Sequence, residues 1–114
     1  MFNEKYSHEK KFTFDSKDNV FIDLKDYATK FEDWTIPVKG MFIYQAKKGP
    51  RGAIVTDGYN INVPKHLNAD IESIMANAEE VAAINDGKCA FKITTYIDNK
   101  NGNGLCYSGS FIDA

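Results

Sequence analysis

The chain has 114 residues, 43% of them hydrophobic and 26% charged, enough to bury one core and too apolar for a disordered polymer. A net charge of −2 excludes a protein that coats nucleic acid through bulk positive charge, and two cysteines exclude a disulfide framework or a cysteine-based metal cluster. No apolar run reaches the ~20 residues of a membrane span, and Met1-Phe2-Asn3-Glu4-Lys5 lacks a signal peptide's apolar stretch, so a cytosolic, reduced protein without membrane association is expected.

Residues 1 to 8 are polar and unpatterned and are expected to fray. From Lys10 the alternation that places Phe12 and Phe14 on one face suggests a strand. The turn residues Asp15 to Asn19 follow, and then Val20, Ile22 and Leu24 share a face of a returning strand, so a first hairpin is expected. Lys25 to Trp34 fits either a short helix or an ordered loop, with Tyr27, Phe31 and Trp34 as its aromatic residues.

Pro37 and Gly40 precede the clearest strand pair. Met41, Ile43 and Gln45 alternate there with Phe42, Tyr44 and Ala46. Lys47 to Gly52 reads as a turn rich in Gly and Pro, and Ala53 to Thr56 runs back. Asp57-Gly58 signals a turn or bulge, after which Tyr59, Ile61 and Val63 alternate with Asn60 and Asn62 as far as Pro64.

Asn68 is a suitable helix N-cap, and Ile71, Ile74, Met75 and Ala78 recur at helical spacing. Asn77, with Glu80 three residues on, has the spacing of a second cap, which predicts a kinked helix or two short ones. Gly87 is a natural left-handed stop. A long final hairpin follows, with Cys89, Phe91, Ile93, Thr95 and Ile97 on one face and Leu105, Tyr107, Gly109 and Phe111 returning. A turn centred near Asn101-Gly102 puts Cys106 opposite about Ile97, far from Cys89, which argues against a disulfide.

The sum is one domain over residues 1–114, mainly β with one helical segment, β or α+β in class. Antiparallel strands with a helix between the third and fourth main strands follow the element order of an OB-like barrel. A small α+β meander with its helix across one sheet face is the alternative architecture.

Charge is unevenly spread. Between Asp33 and Asp57 there is no acidic residue, and Lys39, Lys47, Lys48 and Arg51 fall there; from Leu67 to Asp86 the reverse holds, with Asp70, Glu72, Glu79 and Glu80 among the acids. Single-stranded nucleic acid needs cations for phosphates and flat rings on which unpaired bases stack. The basic segment offers both, since Phe42 and Tyr44 share a strand face beside Lys39, Lys47, Lys48 and Arg51. The plain alternative is a solvated Lys-rich turn over core aromatics. Lys92 and Tyr96 share the second face of the Cys89–Asp98 strand and either extend the platform or are ordinary outward residues. Lys10 and Lys11 are weaker candidates, their neighbours Phe12 and Phe14 reading as core.

Nothing in the sequence assembles a nucleophile, a base and an orienting group, so no catalytic residue and no cofactor is expected. His8 and His66 stand far apart without a neighbouring cysteine, so no metal site is expected either.

The stretch Ala53-Ile54-Val55-Thr56-Asp57-Gly58-Tyr59-Asn60-Ile61-Asn62-Val63-Pro64-Lys65-His66-Leu67, the helix to Gly87-Lys88 and the ending Tyr107-Ser108-Gly109-Ser110-Phe111 resemble small accessory proteins of bacterial phages and mobile elements. Some of that group are OB-like single-stranded DNA-binding proteins. The resemblance spans roughly residues 37 to 113 and implies a replication or recombination role, with no catalytic residue to carry over. The acidic C-terminal tail common in bacterial single-stranded DNA-binding chains has no counterpart in Phe111-Ile112-Asp113-Ala114.

The expected function is therefore binding of single-stranded DNA or RNA. The competing expectation is a protein-interaction module, such as a phage-encoded inhibitor or adaptor, working through the acidic helix. Open sheet edges also offer a route to a homodimer.

Overall fold

The computed structural model describes residues 12–98 and 104–114. The coarse expectation holds: the described chain is mainly β, with strands and helices combined as α+β. Two sheets form. One has the order β1-β5-β4-β3, built from β1 (Val20–Asp23), β5 (Tyr59–Asn62), β4 (Gly49–Thr56) and β3 (Gly40–Ala46). The other has the order β2-β6-β7, from β2 (Thr35–Pro37), β6 (Cys89–Asp98) and β7 (Gly104–Asp113).

The strands do not close into the barrel that their order suggested, and they are not all antiparallel. β1 lies parallel to β5, with Phe21 opposite Asn60 and Asp23 opposite Asn62. Asn19 supplies the reason. Its side-chain amide donates to the carbonyls of Thr56 and Tyr59 and to Asn60 Oδ1, and the Val20 amide donates to Gly58 O, which fastens the entry of β1 alongside β5. The expected first hairpin is thereby displaced: Phe12 to Phe14 carry no strand, and Lys10 and Lys11 lie outside the described residues, as do residues 1 to 8.

Leu24 does not extend β1 but opens helix α1 (Leu24–Lys30), burying itself and, one turn on, Ala28. Tyr27, Phe31 and Tyr59 then meet edge to face or tilted at 4.5–5.7 Å, holding α1 against β5. The helical region is not one segment. A 3-10 turn at Lys65–Leu67 leads into α2 (Asn68–Met75), and α3 (Ala78–Asn85) follows. The break is chemical, because Asn77 Oδ1 accepts from the Glu79 and Glu80 amides and caps α3 as its spacing predicted. Gly87, at φ +76°, ends α3 in the left-handed region.

Asn68 does not cap. Its Oδ1 accepts from Gly52 N at 2.9 Å and its Nδ2 donates to Pro50 O at 3.0 Å, so the residue ties α2 to β4. The turn between β3 and β4 is also tighter than its composition suggested. Only Lys47 and Lys48 lie between the paired residues Ala46 and Gly49, so Arg51 stands in β4, directly opposite Tyr44.

Ile36, Val38, Ile54, Ile61, Val63, Ile71 and Phe91 are the most fully buried side chains, and they come from both sheets, from the residues just after β2 and β5, and from α2. Each contributes roughly 1.5–3 kcal/mol of burial. Among the described residues this single cluster joins the two sheets. The β6–β7 hairpin outruns it: Phe91 and Ile93 are buried, whereas Thr95, Ile97 and Leu105 on the same face are exposed. Cys106 pairs with Tyr96, one residue from the expected register, and Cys89 pairs with Asp113 at the other end, so both thiols are free. The turn residues 99–103 lie outside the described residues.

Candidate nucleic-acid interface

Alternation along β3 splits its side chains between two environments. Met41 is 2% exposed in the core and Ile43 packs against it. Phe42 and Tyr44 point to the opposite face of the sheet, and both are half-buried there. Cross-strand register assigns the rest of that outer face. One row runs Phe42, Ala53, Asn62, Asp23; another runs Gly40, Val55, Asn60, Phe21; Tyr44 faces Arg51.

Three rings gather on this face. Phe21 lies 6.1 Å from Phe42 and 5.4 Å from Tyr44, and Phe42 lies 5.9 Å from Tyr44, all tilted or edge to face. Phe21 is 55% exposed, although it is a large hydrophobic residue. Ala53, between these side chains in the row of Phe42, is fully buried. A small residue on β4 lets rings from the flanking strands lean over it.

Tyr44 shows the direction of that lean. Its hydroxyl donates to Asn62 Oδ1 at 2.7 Å, and Asn62 belongs to β5, on the far side of β4. The ring must therefore lie across β4 rather than stand up from β3. Asn62 Nδ2 in turn donates to Asp23 Oδ1 at 3.1 Å. Arg51 Nη2 stands 3.9 Å from the same oxygen while its Nε donates to Val63 O at 3.2 Å. A polar line thus crosses all four strands beside the rings.

Lys47, Lys48, Arg51 and Lys65 line a groove of about 450 Å3 at one end of β3, floored by Ala46, Gly49 and Pro64. Lys65 Nζ donates to Lys48 O at 2.6 Å, which holds this cation beside the hairpin tip. Lys39 is at the other end of β3, its amide bonded to Val55 O. The six steps of strand between Gly40 and Ala46 separate the ends by ~20 Å. The rings lie between.

The structure does not bring Lys92 and Tyr96 to this face. Both are exposed on β6, in the second sheet, where Lys92 is paired with Thr35 and Ser110 and Tyr96 with Cys106. Two residues join that sequence reasoning did not select. Phe21 carried a signal, since it alternates with Val20 and Ile22, but its place beside Tyr44 depends on the β1–β5 pairing. Lys65 carried none, because its approach to Lys48 is made between segments distant in sequence.

Asp70, Glu72, Glu79 and Glu80 are exposed on α2 and α3, away from the ring cluster. His66 meets Ser108 Oγ at 2.8 Å, and His8 lies outside the described residues. Among the described residues no group of three His, Cys, Asp or Glu is placed to hold a metal, and no helix is long and apolar enough to cross a membrane. No family model, no curated protein and no solved structure matches the chain.

Proposed function

We propose that the outer face of the four-stranded sheet binds single-stranded nucleic acid. The observation that carries this reading is the group of Phe21, Phe42 and Tyr44 on the outer sheet face, beside the Gly40 end that Phe12 overlies, with Lys39 at one end of β3 and the Lys47–Lys48–Arg51–Lys65 groove at the other. Bases stack on the rings and the cations meet phosphates to either side. The acidic helices, by contrast, carry no such aromatic group among the described residues, which favours the nucleic-acid reading over the adaptor one.

In this reading the chain is a binding module rather than an enzyme. Its resemblance to phage and mobile-element accessory proteins, including their OB-like members, supports a replication or recombination role. Two free thiols support a cytosolic setting.

The test is a fluorescence-anisotropy titration of a labelled single-stranded oligonucleotide at low and moderate salt. Affinity should fall steeply with salt, because each phosphate contact releases counterions. The triple variant Lys47→Glu, Lys48→Glu, Arg51→Glu, shown by circular dichroism to be folded, should lose binding. Absence of binding at low salt, or a triple variant that binds like the parent, would sink the proposal.

A further inference from the structure

Asp23 is out of place on a face that meets a polyanion. It occupies the N-cap position of α1, where an aspartate ordinarily accepts from the first-turn amides, yet its side chain makes no such bond. The carboxylate turns instead to the outer face of the sheet, where Oδ1 accepts from Asn62 Nδ2 and faces Arg51. Among the described residues Oδ2 takes no hydrogen-bond partner, and the side chain is 57% exposed. A negative charge here weakens phosphate binding unless it meets a donor on the ligand.

Resting on the nucleic-acid reading above, we propose that Asp23 reads the edge of a stacked base and selects guanine. A carboxylate only accepts hydrogen bonds. Guanine alone among the bases presents two N–H donors side by side on its Watson–Crick edge, at N1 and N2. Adenine and cytosine each offer an amino group next to a ring nitrogen that accepts, and thymine offers one N–H between two carbonyls; both patterns set a lone pair against Oδ1 or Oδ2. Unpaired bases are read through these edges when they are splayed onto aromatic side chains.

The position fits that role. Asp23 shares β1 with Phe21, two residues apart and on the same face, and connects through Asn62 to the Tyr44 hydroxyl. A base lying on the Tyr44 ring along its long axis directs an edge toward Asn62 and Asp23. Asn62 holds Oδ1 in place, and Arg51 keeps the carboxylate from repelling the neighbouring phosphate.

The experiment uses the full chain and a short thymidine oligomer with one central guanine, adenine, cytosine or inosine. The guanine oligomer should bind about tenfold tighter than the adenine or cytosine ones, with inosine, which lacks the N2 amino group, in between. Asp23→Asn keeps the side chain's shape and should abolish the guanine preference, while affinity for plain thymidine oligomer should rise as the negative charge is removed. Equal binding of all four oligomers by the parent overturns the proposal without touching the stacking face. A guanine preference that survives in Asp23→Asn overturns it as well. So does a preference for ribo- over deoxyribo-oligomers that Asp23→Asn removes, since the carboxylate would then read the sugar hydroxyl. Failure of every oligomer to bind at low salt overturns the reading of the face itself.

Discussion

Tyr44 and Asn62 are joined by a 2.7 Å hydrogen bond that spans the strand between them. That bond fixes the attitude of the ring on the sheet, and it separates two contributions of one side chain. Tyr44→Phe removes the hydroxyl and keeps the ring. It should lower stability by about 1 kcal/mol in urea unfolding, the net worth of one hydrogen bond. Oligonucleotide affinity should fall only slightly. Tyr44→Ala should weaken binding by about 1–3 kcal/mol, the value of a stacked base. If the two variants bind alike, stacking on this ring is not what holds the ligand.

Lys65 and Lys92 provide a paired test of which sheet meets phosphate. Lys65 lines the groove with Lys47 and Lys48, whereas Lys92 stands on β6 in the other sheet. Lys65→Gln should reduce the slope of log affinity against log salt by about 1, the loss of one phosphate contact. Lys92→Gln should leave the slope unchanged. Both are exposed side chains, so neither substitution should alter the melting temperature appreciably.

Asn68 makes a stability prediction independent of any ligand. Its side chain satisfies the amide of Gly52 and the carbonyl of Pro50, and the site cannot close over the loss. Gly52 passes so close to α2 that a Cβ there would sit 2.5 Å from Ile71 Cδ1, so the helix has no room to move inward. Asn68→Ala should cost about 1–3 kcal/mol through the unpaired backbone groups. Denaturant unfolding measures it, and a loss of a few tenths would show that α2 is held by its apolar face alone.

Cys89 makes stability depend on alkaline pH. Burial pushes its thiol above the usual cysteine range, and the charges of Asp113 and Glu80 add to the shift. The folded chain thus keeps this proton after the unfolded chain has begun to release it. The contribution is complete below the unfolded value and is lost as pH rises from there through the higher folded value. Urea midpoints should fall as pH rises above about 8.5, where the unfolded thiol begins to ionise, and Cys89→Ala should flatten part of that fall. An identical fall in both proteins would assign the effect to other groups.

What the sequence determined was local. Period-two alternation in β3 placed Phe42 and Tyr44 opposite Met41 and Ile43, because successive side chains of any strand point to opposite faces. Asn77 capped α3 and Gly87 stopped it, since caps depend on residues a few positions away. Long-range pairing decided the rest. The same Asn side chain caps at position 77 but ties helix to sheet at position 68, where the Gly52 amide and the Pro50 carbonyl come within reach. Phe21 joined the rings only because β1 ran parallel to β5, and Lys65 reached Lys48 only through the folding of distant segments. Lys92 and Tyr96, with the same alternation and chemistry as the β3 residues, were carried to another sheet. Periodicity states which face a residue takes within its strand; only the order of strands decides which residues share that face.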